Sequence, residues 1–210
     1  MKSYEFSSEQ LDVLREIGNI GAGNAATSMS ELINKRVHMD VPSVNIVTFD
    51  EMTEIVGGPE QLIVAMYFRI HGETPASVYF ILTIEEAESL VKHMIPDQSI
   101  DLLNEQPNEM VISALKEVGN IMTGSYLTAL SDFMNVNLQS SIPYLNIDMA
   151  GALLTAGLIE LLHISDYVIV IDTEIKQDQT NNGLKGHFFL LPDLDSFPKI
   201  FQALGIHSNG

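Results

Sequence analysis

The chain has 210 residues with 46% hydrophobic content, enough to fill one sizeable core or two small ones without covalent staples. It contains no cysteine, which excludes a disulfide framework, a thiolate metal site and a cysteine nucleophile, and fits a reducing, cytoplasmic setting. With 28 acidic against 10 basic residues its net charge is -18, which opposes a phosphate backbone, so nucleic acid is not an expected partner and the acidity reads as a solvated surface.

From Met1 to Leu14 charged and apolar residues alternate without the continuous apolar core of a signal peptide. A long helix is predicted over 8–35, then an extended strand over 37–49, strands 61–72 and 75–83 joined as a hairpin, and a closing helix over 84–95. The polar segment 96–107, with Pro96 and Pro107, reads as a connection between two halves. The order then recurs: a helix over 108–134, a strand over 136–147, strands 167–177 and 184–191 with Asn182-Gly183 as their turn, and a helix over 194–204. An extra helical stretch, Met149 to His163, belongs to the second half only. It is interrupted by Glu160 and is shorter than the roughly 20 residues of a membrane span, so no membrane insertion is expected.

Sliding the chain against itself by 101 residues aligns Arg15–Pro42 with Lys116–Pro143, and nine of the 28 pairs are identical. The halves, about 8–95 and 108–204, thus read as a tandem duplication. Period-2 strands such as Ile63 to Ile70 need a shared apolar face, so the expected fold is a single α/β domain of the α+β type spanning 1–210. It is pictured as a pseudo-twofold sandwich with long helices packed on a largely antiparallel sheet.

On a helix turning about 100° per residue, with Asp12 at zero, Glu16, Asn19 and Gly23 fall near 40°, 340° and 20° and form one stripe. Val13, Leu14, Ile17, Ile20 and Gly21 lie on the other side and are expected to pack on the sheet. Ser113, Glu117, Asn120 and Gly124 repeat the stripe, opposite Leu115, Val118 and Ile121. A Glu and an Asn on one amphipathic helix are ordinarily its wet face. Here other exposed pairs have drifted (Lys35 with Val136, Asp40 with Ser141) while Glu and Asn have not, and Asn is a mediocre helix former. Gly18 and Gly119 admit two readings: close approach of a partner's backbone, or close packing inside the fold. Arg15 and Lys116 sit beside the glutamates, where they either soften repulsion of an anion or are simply solvated.

Other chemistries lack their signatures. Gly21-Ala-Gly23-Asn-Ala-Ala26 follows helix rather than strand, which rules it out as a dinucleotide fingerprint. The six histidines show no H-x-H or H-E-x-x-H spacing, Asp178 to Gly183 lacks the alternating ligands of a calcium loop, and neither a phosphate-binding P-loop nor a G-x-S-x-G elbow occurs. No metal site is expected on this chain. An Asn amide is no base, but it can orient a water, and phosphoryl hydrolysis through a loose transition state depends on that positioning.

The pattern [DS]-x3-E-x2-N-x22-P occurs twice, as Asp12, Glu16, Asn19, Pro42 and as Ser113, Glu117, Asn120, Pro143. In this the chain resembles the CheC/CheX/FliY phosphatases of bacterial and archaeal chemotaxis, over essentially its whole length. The resemblance implies hydrolysis of the aspartyl phosphate on the response regulator CheY, with no cofactor bound by this chain and Mg2+ held by the phosphorylated receiver. It implies that Asn19 and Asn120 position the attacking water and that Glu16 and Glu117 pair with a receiver lysine. Asp12, Ser113, Pro42 and Pro143 are then supporting members, the prolines also suiting a strand start or a fixed turn. Two sites separate the chain from CheX-like members, which carry one, and its end at Gly210 from FliY-like members, which add a switch domain. The CheC-like branch also implies the receptor deamidase CheD as a partner, with Asp148 as a contact that doubles as a helix N-cap. Two other readings stand beside the enzyme: a non-catalytic CheD-binding adaptor and a flagellar-switch component.

Overall fold

The computed structural model describes residues 8–48, 51–95, 99–104, 107–154, 167–177 and 183–203. The first half runs α1 (Ser8–Ile33), β1 (Val37–Asp40), β2 (Val44–Thr48), α2 (Met52–Ile55), β3 (Leu62–Gly72), β4 (Ala76–Thr83) and α3 (Ile84–Met94). The second runs α4 (Glu109–Met134), β5 (Leu138–Ser140), β6 (Tyr144–Met149), β7 (Tyr167–Gln177), β8 (Leu184–Pro192) and α5 (Phe197–Ala203).

The strands form one eight-stranded sheet in which every described pairing is antiparallel. Its middle is the pair β4 and β8, where Phe80 stands opposite Phe188. Both strands carry near-continuous apolar runs, as burial on two faces requires. The halves exchange their outer strands: β1 and β2 of the first half pair with β7 of the second, and β5 and β6 pair with β3. The duplication is therefore woven into a continuous sheet.

The long helices cover one face. From α1, Leu14, Ile17, Ala22, Ala25 and Met29 enter the main core; from α4, Leu115, Val118, Met122 and Tyr126 do the same. Tyr126 is wedged between helix and sheet, its ring 4.7 Å from that of Phe188 and its hydroxyl 2.6 Å from that of Thr173. Burial outweighs that hydrogen bond and pushes its phenol up to about 12. A smaller core on the opposite face gathers Met52, Val56, Ala65, Val170 and Phe189 under α2 and a helical turn at 150–154.

Local chemistry explains the element ends. Thr83 and Glu86 close a capping box at the start of α3, and Asn108 caps α4. Asn34 and Asn135, an identical pair, end the long helices in the left-handed conformation, with φ of 51° and 52°. Gly72 has φ 128°, and a Cβ there would lie 2.0 Å from the Asn137 carbonyl oxygen, so the β3–β4 corner requires glycine.

Several expectations need correction. The single strands expected over 37–49 and 136–147 are each split in two, as β1 with β2 and β5 with β6. The breaks fall on 41–43 and 141–143, where a proline cannot donate to the ladder. Met149 ends β6 rather than opening the extra helix, whose later residues lie outside those described, as do Asn182 and parts of the 96–107 connection. Ile20 is not on the sheet face: it is 51% exposed. The buried arc of α1 is rotated toward Gly18, Ala22, Ala25 and Met29.

Candidate functional site

The sheet-facing arcs of α1 and α4 leave the two motif stripes pointing outward. Asp12, Glu16 and Asn19 are exposed on the first helix, and Ser113, Glu117 and Asn120 on the second. One turn beyond each Asn, a Cβ built on Gly23 or Gly124 meets nothing within 4 Å, so the helix backbone there is open to an approaching partner. Gly18 and Gly119 serve the fold instead. A Cβ on Gly18 would lie 3.4 Å from Val41 and Ile171, and one on Gly119 would lie 2.7 Å from Met66 Sδ and 3.2 Å from Phe68 Cζ.

The nine identical pairs of the repeat now sort by what they do. Gly18/Gly119 admit the sheet, and Asn34/Asn135 end the helices. Thr27/Thr128 donate to the Gly23 and Gly124 carbonyls, Ser30/Ser131 tie the helix ends to Val37 and Val136, and Pro42/Pro143 break the strands. Ile20/Ile121 divide, Ile20 being exposed and Ile121 half-buried against the main core, and the remaining three pairs, Glu16/Glu117, Asn19/Asn120 and Gly23/Gly124, have no packing role of that kind and lie together on the outer helix face.

Each stripe is accompanied by a strand break, and in the first copy the break touches the stripe. Between the pairs Asp40–Glu174 and Val44–Ile171, three residues (41–43) oppose two, which is a β-bulge. Between Ile70–Ser140 and Tyr67–Tyr144, residues 141–143 do the same. At the first bulge the Val41 N–H donates to Asn19 Oδ1 at 3.3 Å, which ties the carboxamide to the sheet edge. Ser43 donates its hydroxyl to Asp172 Oδ2 and accepts the Asp172 N–H at its carbonyl, 3.0 Å away, while His187 Nδ1 lies 2.7 Å from Asp172 Oδ1. Burial pushes the Asp172 carboxyl up, but the bonds from His187 and Ser43 prevail and hold it below the usual carboxylate range.

The second bulge is pinned differently. Arg69 donates its backbone N–H to Ser141 Oγ at 3.0 Å and accepts the Ser141 N–H at 2.8 Å, and its guanidinium forks onto Asp193, Nη1 to Oδ1 at 2.8 Å. In the frame of the motif this bulge falls one residue earlier, so that Pro42 is central in 41–43 but Pro143 is last in 141–143. Ile142, the counterpart of Val41, therefore sits at the bulge centre and is 88% exposed, against 5% for Val41. Among the described residues, Asn120 has no hydrogen bond matching that of Asn19.

The surroundings differ as well. Asp12 accepts from Arg15 at 2.9 Å, while Ser113 and Lys116 form no such pair among the described residues. Met110, Ile142 and Tyr144 are exposed around the second stripe, at positions filled in the first by Glu9, Val41 and Ser43. Toward the C-terminus of each long helix lies a groove of about 470 Å³, lined by Ser30, Glu31, Arg36 and His38 in one case and by Gly124, Ser131, Asp132, Gln139 and Ser140 in the other. Asp148 lies on β6 with its side chain exposed and accepts the N–H of Met149 at 2.8 Å, a bond to its neighbour rather than across a helical turn. Sequence reasoning missed Val41, Ser43 and Asp172; the signal that pointed there was the fixed gap between Asn and Pro.

Two long helices on an antiparallel sheet, each carrying an outward Glu-x-x-Asn stripe beside a bulged strand, define a class with a doubled helix-surface site. The CheC-like family model matches this chain twice, over residues 9–46 and 110–147. The chain is 41% identical over 197 residues to "CheY-P phosphatase CheC" of Bacillus subtilis, covering 94% of each chain, and 24% identical to "Putative CheY-P phosphatase CheC1" of Halobacterium salinarum, covering 93% of this chain and 96% of that one. Its fold is shared with the crystal structure of Thermotoga maritima FliY, at a TM-score of 0.71 and 20% identity over 96% of this chain and 98% of that one. The chain belongs to the CheC-like family.

Proposed function

We propose that this chain is a phosphatase that hydrolyses the aspartyl phosphate of a phosphorylated CheY-type receiver, using both stripes. One observation carries the reading: the identical pairs without a packing role place an exposed Glu and Asn on each long helix beside a glycine with open space over it. The similarity to a protein named CheY-P phosphatase supports the substrate.

Each element has a matching task. The open glycine lets the receiver's backbone come close to the helix. Glu16 or Glu117 pairs with a receiver lysine and registers the two proteins. The carboxamide oxygen of Asn19 accepts one lone-pair contact from Val41 and retains a second for a hydrogen of the attacking water, which aims the water's own lone pair at phosphorus. The water oxygen then bonds to phosphorus as the phosphorus–carboxylate oxygen bond breaks, the receiver's carboxylate is regenerated, and the water proton leaves with inorganic phosphate. Mg2+ held by the receiver would meet charge on the phosphoryl group, which leaves in-line positioning to this chain.

Association with the receptor deamidase CheD forms the second part of the proposal, and the exposed Asp148 near the end of the edge strand β6 is the contact it names. Asp148→Lys is expected to weaken a CheD complex measured by calorimetry and to leave turnover without CheD unchanged; undiminished binding removes that contact. For the enzyme, the test is decay of phosphoryl label on a purified CheY receiver with Mg2+. Wild type is expected to accelerate decay, and Asn19→Ala/Asn120→Ala to lose about 10²-fold of that acceleration. Equal rates would remove the carboxamides from the mechanism, and no acceleration by wild type would leave a binding protein.

A further inference from the structure

The first stripe is linked to the opposite face of the sheet by an unbroken chain of contacts. His187 and Asp172 lie on the face away from α1, among the strand residues that alternate with the buried Ile171 and Phe188. Asp172 holds two polar groups of Ser43, the hydroxyl through its carboxylate and the carbonyl through its own N–H. Ser43 is the last residue of the bulge, Pro42 is a rigid link with fixed φ, and Val41, the first residue, donates to Asn19. The Val41 side chain is locked as well, buried at 5% exposure against Gly18. The Asp40–Val41 peptide is held on one side by the β1 ladder at Asp40, and on the other the Ser43 anchor limits how far the bulge, and with it the Val41 N–H, can turn.

We infer that Ser43 and Asp172 are positioning residues for the first site, acting through the bulge and the Val41 N–H to hold the Asn19 carboxamide in its working orientation. This rests on the reading of Asn19 as the group that positions water. The second site is built without it: the residue aligned with Ser43 is the exposed Tyr144, and Ile142 is turned outward. Loss of the Ser43 anchor therefore acts on one site only. A general loss of stability would lower both.

The experiment uses the full chain with one site disabled at a time. In the Asn120→Ala background, where the first site works alone, Ser43→Ala is expected to lower kcat for receiver dephosphorylation about threefold to tenfold, the worth of one oriented hydrogen bond, with KM unchanged. Ser43→Thr, which keeps the hydroxyl, is expected to restore it, and Asp172→Ala to match Ser43→Ala. In the Asn19→Ala background, where the second site works alone, Ser43→Ala is expected to leave kcat unchanged, which also certifies the fold. Amide exchange at Val41 is expected to speed up in Ser43→Ala. An unchanged first-site kcat, or an equal fall at both sites, would overturn the inference. If adding Asn19→Ala to Asn120→Ala costs nothing, the water-positioning reading itself has failed; if it abolishes turnover while Ser43→Ala does not lower it, only the positioning role has.

Discussion

The two copies of the site carry the same motif on the same kind of helix, yet they rest on differently placed strands. In the first, the bulge begins at the motif's residue before proline, and a buried Val41 ties its backbone to Asn19. In the second, the bulge comes one residue sooner, Ile142 swings outward, and Asn120 lacks that tie among the described residues. A one-residue change of register turns every following side chain to the other face. Duplication preserved the chemical groups, and the sheet beneath them diverged in how firmly it holds them.

Substitutions at the paired glycines break the comparison most sharply. Gly119→Ala pushes a methyl group against Met66 and Phe68 in the main core and is expected to destabilise by about 1–3 kcal/mol, despite the gain in helix propensity. Gly18→Ala meets only ordinary contacts at 3.4 Å and is expected to be neutral or mildly stabilising. Urea midpoints of the two variants check the difference, and equal midpoints would mean that the helices sit on the sheet alike.

Gly23 and Gly124 give a smaller effect with opposite signs in stability and function. Gly23→Ala and Gly124→Ala fill open space, so each is expected to raise stability by up to about 1 kcal/mol through helix propensity. Each is also expected to raise KM for the receiver at its own site. Raised stability with unchanged KM would show that no partner reaches the helix there. The smallest effect concerns pH. Because the Asp172 carboxyl is held below its ordinary range in the fold, the stability it contributes is present above the unfolded value and is lost as pH falls through the folded one. Amide protection at the first bulge is thus expected to fall in acid, and Asp172→Asn to flatten that fall.

The parts of the molecule that depend on local periodicity were legible in the sequence. Both long helices and their outward stripes follow from the 3.6-residue repeat, and the pairing of β3 with β4 and of β7 with β8 from the alternation of neighbouring strands. Pairing across the halves was not legible, because the partner of β1 is β7, more than a hundred residues away, and nothing local encodes that register. The bulges followed the same rule: Pro42 and Pro143 announced an interruption, but its one-residue offset between copies exists only relative to β7 and β3. Ile20 was misassigned because the arc that a helix buries is set by what it packs on, here shifted toward Gly18 and Ala22. For Gly18 and Gly119 the neighbouring strand side chains decided between two readings that the helix alone left open.

The account stands or falls on two independently working carboxamides. Turnover of phosphorylated CheY receiver by wild type, Asn19→Ala, Asn120→Ala and the double variant tests this directly. Each single variant is expected to retain the activity of its intact site with that site's own KM, the two residual activities to sum to the wild-type rate, and the double variant to lose about 10²-fold of the acceleration. Complete loss in either single variant, or turnover in the double close to that of wild type, would contradict two independently working carboxamides.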